Sequence, residues 1–86
     1  MTYKVEVSEN ANKERERLPK SVRLRLDAAI DKLAEDPRPM GSVKLVGEKN
    51  MFRIRVGNYR VIYAVFDDKL LVLIVRVRHR KDAYRK

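Results

Sequence analysis

The sequence contains no cysteine and a single histidine, His79. Without cysteine the chain can form neither a disulfide nor a thiolate metal site, and one histidine makes a zinc site only with help from carboxylates. We therefore expect no metal and no cofactor. No run of about 18 apolar residues is present, which excludes a membrane-spanning helix. Charges interleave the first residues where a signal peptide would be apolar, so we expect a cytoplasmic protein with no membrane partner.

Acidic residues are also scarce. The 86 residues include 12 Asp and Glu against 21 Lys and Arg, which gives a formal net charge of +9. The excess is concentrated in residues 51–86, which hold 10 basic and 3 acidic side chains. So strong a positive charge favours a polyanionic partner and association that weakens with salt. A chain of this length has room for one domain, residues 1–86, and we place its functional residues in the second half.

The first half predicts one strand and two helices. Tyr3, Val5 and Val7 alternate with charged residues, as in a half-buried strand. Ser8 is a suitable N-cap for a short helix over residues 9–17. The basic residues of the helices, which stand among acidic residues such as Glu14, are interpreted as a solvated face or as sequence-independent contacts to a polyanionic partner. A second helix carries one apolar stripe at spacings of three and four, formed by Val22, Leu26, Ala29, Ile30 and Leu33.

The second half predicts strands over residues 43–46, 52–56, 59–66 and 70–78, the last three forming a meander of hairpins. We assign the chain to the α+β class with the order β-α-α-β-β-β. The expected architecture is an antiparallel twisted sheet with both N-terminal helices packed on one face. The opposite face of the sheet is then free for a ligand.

Several arginines are expected on that free face. If Gly57 and Asn58 form a two-residue turn, Arg55 lies directly opposite Arg60. Because side chains alternate along a strand, Arg53 joins the same face. Like charges set directly across a ladder destabilise a sheet, and a bound anion would explain their placement. A solvated face whose arginines extend into water is the alternative.

The last strand carries Arg76, Arg78 and Arg80 at alternate positions. A three-residue turn over residues 67–69 would pair Arg60 with Arg76 and bring all three to the face of Arg60. A two-residue turn would place them on the opposite face. The sequence leaves both registers open.

Three short motifs accompany this order of elements: Lys-Leu-Val-Gly at residues 44–47, Tyr-Arg-Val-Ile-Tyr at residues 59–63, and His79-Arg80 followed by Tyr84. Together they resemble the RelE/ParE superfamily of type II toxin–antitoxin toxins, and the RelE branch in particular. The resemblance covers nearly the whole chain. It implies an mRNA interferase, a ribosome-dependent endoribonuclease that cleaves mRNA in the ribosomal A site, and a cognate antitoxin that blocks it.

Carried over by position, the resemblance implies a catalytic set formed by Arg53, Arg55, Arg60, Arg80 and Tyr84. We also expect contacts to RNA from Lys44, Arg76, Arg78 and Lys81. The best-known members carry lysines at the positions of Arg53 and Arg55. Arginine keeps its proton at neutral pH, so neither residue suits the role of general base.

RNA cleavage without a metal requires a base for the 2′-OH, charge stabilisation at the phosphorane and a proton for the 5′-oxygen. Arg60 and Arg80 suit the second task because a guanidinium donates bidentately to phosphate oxygens. Tyr84 and His79 are the candidate bases, and positioning by a nucleobase or the ribosome is a third possibility. The family match favours Tyr84, whereas strand alternation places His79 on the face away from Arg80, where a packing role is the alternative.

Two other functions fit the same fold. One is a ParE-type inhibitor of DNA gyrase without catalysis, which would not require this combination of arginines and tyrosine. The other is an inactive, RNA-binding relative. The expected partners of the preferred function are the cognate antitoxin, the ribosome with its rRNA, and mRNA, since the net charge of +9 suits an acidic protein segment as well as RNA.

Overall fold

The computed structural model describes residues 2–81. In chain order the elements are β1 (Lys4–Val7), α1 (Glu9–Glu16), α2 (Lys20–Lys32), β2 (Val43–Lys44), β3 (Met51–Val56), β4 (Tyr59–Phe66), a 3-10 turn (Asp67–Lys69) and β5 (Leu71–His79). The strands form one sheet in the order β1-β5-β4-β3-β2. The α+β fold is as predicted, with a short β2 ahead of the meander. None of the helices in this part of the chain is long and apolar enough to cross a membrane.

The sheet is mixed, which corrects the expectation of a purely antiparallel one. β2 to β5 pair antiparallel, but β1 pairs parallel with the first half of β5. The meander leaves the outer edge of β5 open, and β1 fills that edge before the chain turns into α1. Alternation of apolar residues reports which face a strand buries and says nothing about its direction, so the sequence pattern could not reveal this pairing.

The helices form where the sequence predicts them. The side chain of Ser8 caps α1 by accepting a hydrogen bond of 3.1 Å from the backbone N–H of Ala11. Leu26, Ile30 and Leu33 carry the apolar stripe of α2 into the core, where each is at most 5% exposed. They pack with buried side chains of the sheet, among them Ile54, Val61, Tyr63, Val65, Val72, Ile74 and Val77. The helices therefore cover one face, as predicted.

The β3–β4 hairpin has the predicted register. Arg55 lies opposite Arg60 and Arg53 opposite Ile62, and every other pair of this ladder follows the same register. Gly57 adopts a positive φ of 59° at the two-residue turn, a conformation that glycine takes without strain. β2 is shorter than expected and ends at Lys44, because the chain turns through Gly47, which has a φ of 82°.

The β4–β5 connection matches neither expected turn. Phe66 pairs with Leu71, so four residues form the loop, and Leu70 adopts the left-handed conformation with φ 50°. Further along, Tyr63 pairs with Ile74 whereas Ile62 pairs with Arg76. Val75 is therefore an extra residue in β5, a β-bulge.

The outer edge of β5 beyond β1 is covered by α1. β1 pairs only with residues 71–74 of β5. Past that point, Ser8 Oγ donates a hydrogen bond of 3.1 Å to the carbonyl oxygen of Val75, and the backbone N–H of Val77 donates one of 2.9 Å to Glu14 Oε1. Side chains of the first helix thus satisfy backbone groups that a neighbouring strand would otherwise pair.

Candidate functional site

A row of three arginines crosses the face of the sheet that the helices leave open. Arg55 on β3 lies opposite Arg60 on β4, and Arg60 lies opposite Arg78 on β5. Directly opposed residues of antiparallel strands have Cα atoms about 4.5–5.5 Å apart. Three positive side chains are therefore aligned across three neighbouring strands. One of the two turns considered from the sequence would have paired Arg60 with Arg76, whereas the four-residue loop and the bulge at Val75 make Arg78 its partner.

A second row lies one step along the strands. Arg53 on β3 and Arg76 on β5 both pair with Ile62 of β4 and flank it on either side. The two rows together define the arginine face, which consists of Arg53, Arg55, Arg60, Arg76 and Arg78. Two of these residues were expected only for one of the two possible registers of β5, and the bulge brings them to the face.

Arg60 is the most buried residue of the arginine face. It is 7% exposed, whereas Arg55 on one side is exposed and Arg78 on the other is half-buried. Taking a guanidinium largely out of water is costly, and like charges on both sides add to the cost. An anion bound on this face would offset both effects, which is the arrangement expected at a site for phosphate groups.

Arg76 is held by a residue of the first helix. Its guanidinium forms an ion pair of 3.1 Å with Glu14 Oε2, and the Glu14 side chain is 23% exposed. The buried Nε of Arg76 has no hydrogen-bond partner within residues 2–81. Glu14 was interpreted from the sequence as part of a solvated helix face, and 62 residues separate it from Arg76. Only the three-dimensional structure reveals this contact.

The remaining predicted residues lie at the end of the arginine face or away from it. Arg80 follows β5 by one residue, and its backbone N–H donates a hydrogen bond of 2.7 Å to the carbonyl oxygen of Asn58 at the β3–β4 turn. Arg80 and Lys81 are exposed. Tyr84 lies outside the described residues. Lys44 pairs with Phe52, whose side chain packs on the core, so Lys44 belongs to the helix side and not to the arginine face.

His79 also lies on the helix side. It pairs with Tyr59, and the two rings meet edge to face with centroids 5.1 Å apart. A shallow pocket of about 360 Å³ beside them is lined in part by Leu18 and Arg17. The packing role considered for His79 fits this position. Within residues 2–81, no cluster of three or more His, Asp or Glu side chains could hold a metal ion.

The fold and this face have counterparts among known proteins. A family model described as the ParE toxin of the type II toxin–antitoxin system, parDE, matches residues 5–84. The chain belongs to this family of toxins. A putative RelE-like toxin protein of Escherichia coli is 33% identical over 88 residues, which cover 98% of this chain and 92% of the relative. The mRNA interferase toxin RelE of E. coli K12 is 32% identical over the same shares of the two chains.

Solved structures agree with these relatives. The toxin superimposes on an archaeal RelE–RelB complex from Pyrococcus horikoshii with a TM-score of 0.84 at 31% identity, over the full length of both chains. A variant of E. coli toxin RelE with two arginines replaced by alanine gives 0.81 at 30% identity, over 96% of this chain and 88% of the variant. These likenesses place the toxin in the RelE branch, as the sequence resemblance predicted.

Proposed function

We propose that this toxin is a ribosome-dependent, metal-independent endoribonuclease that cleaves mRNA in the ribosomal A site and so inhibits translation. The observation that carries the proposal is the row formed by Arg55, Arg60 and Arg78 across three strands. A purely structural surface gains nothing from aligning like charges in this way. The phosphates of a single RNA strand lying on the face would be contacted by several guanidiniums at once.

In the proposed reaction the ribose 2′-oxygen bonds to the adjacent phosphorus and the bond from phosphorus to the 5′-oxygen breaks. The 2′-OH proton goes to the general base and the leaving 5′-oxygen takes a proton from water, which gives a 2′,3′-cyclic phosphate and a 5′-hydroxyl. Arg60 and Arg80 stabilise the charge of the phosphorane. Arg53 and Arg55 hold the RNA backbone, because a guanidinium stays protonated at neutral pH and cannot accept the 2′-OH proton. Arg76 and Arg78, together with Lys81, extend the contact to neighbouring phosphates.

We assign the general base to Tyr84. Its neighbours in the sequence include Arg80, Lys81 and Arg85, and positive charges near a phenol favour the phenolate. His79 is the weaker candidate because it packs on Tyr59 on the side of the sheet opposite the arginine face. Replacing Tyr84 by phenylalanine separates the two assignments, since only one of them predicts a loss of cleavage.

We further propose that a cognate antitoxin binds and silences the toxin. Two lines support this: several structural neighbours are RelE–RelB complexes, and the net charge of +9 suits an acidic segment that orders on binding. The other proposed partners are the ribosome with its rRNA, and mRNA. The cytoplasm is then the compartment of action, since translating ribosomes are found there.

Primer extension on mRNA in a translating extract tests the proposal. The wild-type toxin should produce cuts within A-site codons, with a 2′,3′-cyclic phosphate on the upstream fragment and a 5′-hydroxyl on the downstream fragment. A double variant, Arg60→Ala with Arg80→Ala, should lose them. Lys4→Ala with Lys69→Ala is the matched control, because it removes two exposed positive charges outside the arginine face, one on β1 and one in the 3-10 turn. Translation that continues unaffected with the wild-type toxin would contradict the proposal.

A second candidate function is inhibition of DNA gyrase without catalysis. The family model that matches residues 5–84 carries the ParE description, which is the observation in its favour. A supercoiling assay with purified gyrase tests it directly. Toxicity that survives in the Arg60→Ala, Arg80→Ala double variant, together with inhibited supercoiling, would favour this second function over RNA cleavage.

A further inference from the structure

The arginine face depends on the bulge in β5. Near the loop, Tyr63 pairs with Ile74. If that register continued without interruption, Arg60 would pair with Val77, and Arg76 and Arg78 would turn toward the helices. A shift of one residue inverts which side every following residue faces. The extra residue Val75 restores the alternation, so that Val77 is buried at 4% exposure and the arginines face outward.

Helix α1 holds the chain on both sides of this bulge. The backbone N–H of Ser8 donates a hydrogen bond of 2.9 Å to the carbonyl oxygen of Ile74, just before the bulge. Ser8 Oγ donates to the carbonyl oxygen of Val75 itself, and Glu14 Oε1 accepts from the N–H of Val77 just after it. The residue before the bulge, the bulge residue and Val77 after it thus each have a partner in α1 or its N-cap.

Glu14 also contacts the side chain of Arg76, the residue before its backbone partner Val77. Its second oxygen, Oε2, pairs with the guanidinium of Arg76 at 3.1 Å, while Oε1 accepts from the N–H of Val77 at 2.9 Å. One carboxylate therefore fixes both the backbone position and the side-chain direction of adjacent residues. Hydrogen bonds to a charged acceptor are stronger than neutral ones, and this carboxylate is three-quarters removed from solvent.

We propose that Glu14 is a positioning residue of the arginine face: it fixes the bulge at Val75 and so directs Arg76 and Arg78 to the side of Arg60. Glu14 itself touches no RNA. Its effect on RNA binding rests on the proposed function, whereas its effect on the register of β5 does not.

The register is tested first, without RNA, by NMR on the full chain. In Glu14→Ala the amide of Val77 should exchange with solvent about tenfold faster. Cross-strand contacts between Val61 and Val77 should weaken, while those between Val65 and Val72 stay unchanged. Glu14→Gln keeps an oxygen that accepts from Val77 and should rescue the register. Glu16→Ala, an exposed position on the same helix, is the control for charge and should leave both readouts as in the wild type.

RNA binding gives the second readout, with a short single-stranded RNA as the probe. Removing a negative charge by itself strengthens binding to RNA, so Glu16→Ala should bind slightly more tightly than the wild type. Glu14→Ala should instead bind more weakly, by about fivefold or more, because Arg78 and Arg76 lose their placement. The opposite signs distinguish positioning from simple electrostatics.

The two readouts fail separately. If the wild type neither binds nor cleaves RNA but Glu14→Ala changes the register, the proposed function is wrong and the positioning role stands. If Glu14→Ala keeps the exchange rate at Val77 and the contacts to Val61, the positioning role is wrong whatever RNA does. Should Glu14→Ala not fold, Glu14→Asp decides, since its shorter side chain cannot reach both partners and unchanged exchange there would overturn the inference.

Discussion

Replacement of Arg60 by methionine should relieve repulsion between the arginines and inactivate the toxin at the same time. Arg60 is 7% exposed and lies between Arg55 and Arg78 on the neighbouring strands. Like charges directly across a ladder each destabilise by a few tenths of a kcal/mol to about 1 kcal/mol, and methionine removes two such pairs while filling a similar volume. The gain from relieving this repulsion is about 1 kcal/mol at low salt, equivalent to about 4–8 °C in the Tm of a domain of this size.

Urea denaturation at low and high salt measures this gain. Urea is preferred to guanidinium because it adds no ions that screen the arginines. The gain should shrink as salt rises, and cleavage should fall by about 10²–10³-fold, the usual cost of losing one donor to a developing negative charge. Arg55→Met, which relieves only one like-charge pair at an exposed position, should gain less. A stability difference between Arg60→Met and the wild type that does not change with salt would refute the reasoning, because repulsion between the arginines would then be negligible.

Three further predictions concern other parts of the molecule. Tyr84→Phe should reduce cleavage by about 10²-fold or more in a primer-extension assay while RNA affinity stays within twofold, and undiminished cleavage would exclude Tyr84 as the base. Two hydrogen bonds from Arg15 lower the pKa of the Asp27 carboxyl. The stabilisation from this pair is therefore fully present above the pKa of the carboxyl in the unfolded chain, and it is lost as the pH falls through the lowered pKa of the folded state. Asp27→Asn should therefore cost at most about 1 kcal/mol at pH 7, because both side chains are about a third exposed, and urea titrations should show less acid sensitivity than in the wild type. Tyr63→Phe removes the buried hydrogen bond of 2.8 Å to the carbonyl oxygen of Pro37 and should cost about 1–2 kcal/mol in urea denaturation, with RNA cleavage retained.

The hairpin that carries three of the five residues of the arginine face could be predicted from local signals alone. Gly57 and Asn58 favour a two-residue turn, and such a turn fixes every pair of the β3–β4 ladder. The opposition of Arg55 and Arg60 followed from that register without any knowledge of the rest of the fold. The stripe of α2 was equally predictable because burial imposes a period on the sequence.

The other half of the site could not be predicted, because it depends on contacts between distant residues. The register of β5 is set by the four-residue loop, by the bulge and by contacts from Ser8 and Glu14. None of these can be recognised in the sequence of β5 itself. Glu14 resembles any other acidic residue of a charged helix until the helix is placed beside Val77. The parallel pairing of β1 is likewise a consequence of which edge the meander leaves open.

The bulge at Val75 divides β5 into two stretches that obey different requirements. The pairing of residues 71–74 is set by the loop and the core, whereas the pairing of residues 76–79 places the arginines on the open face. The extra residue Val75 joins these two registers, which differ by one residue. The contacts from Ser8 and Glu14 hold the second stretch, whereas the loop at residues 67–70 leads into the first, so the packing of the core and the direction of the arginines are fixed by different contacts. The toxin thus has, at a single residue of β5, the boundary between the part of the strand that builds the core and the part that directs the arginines.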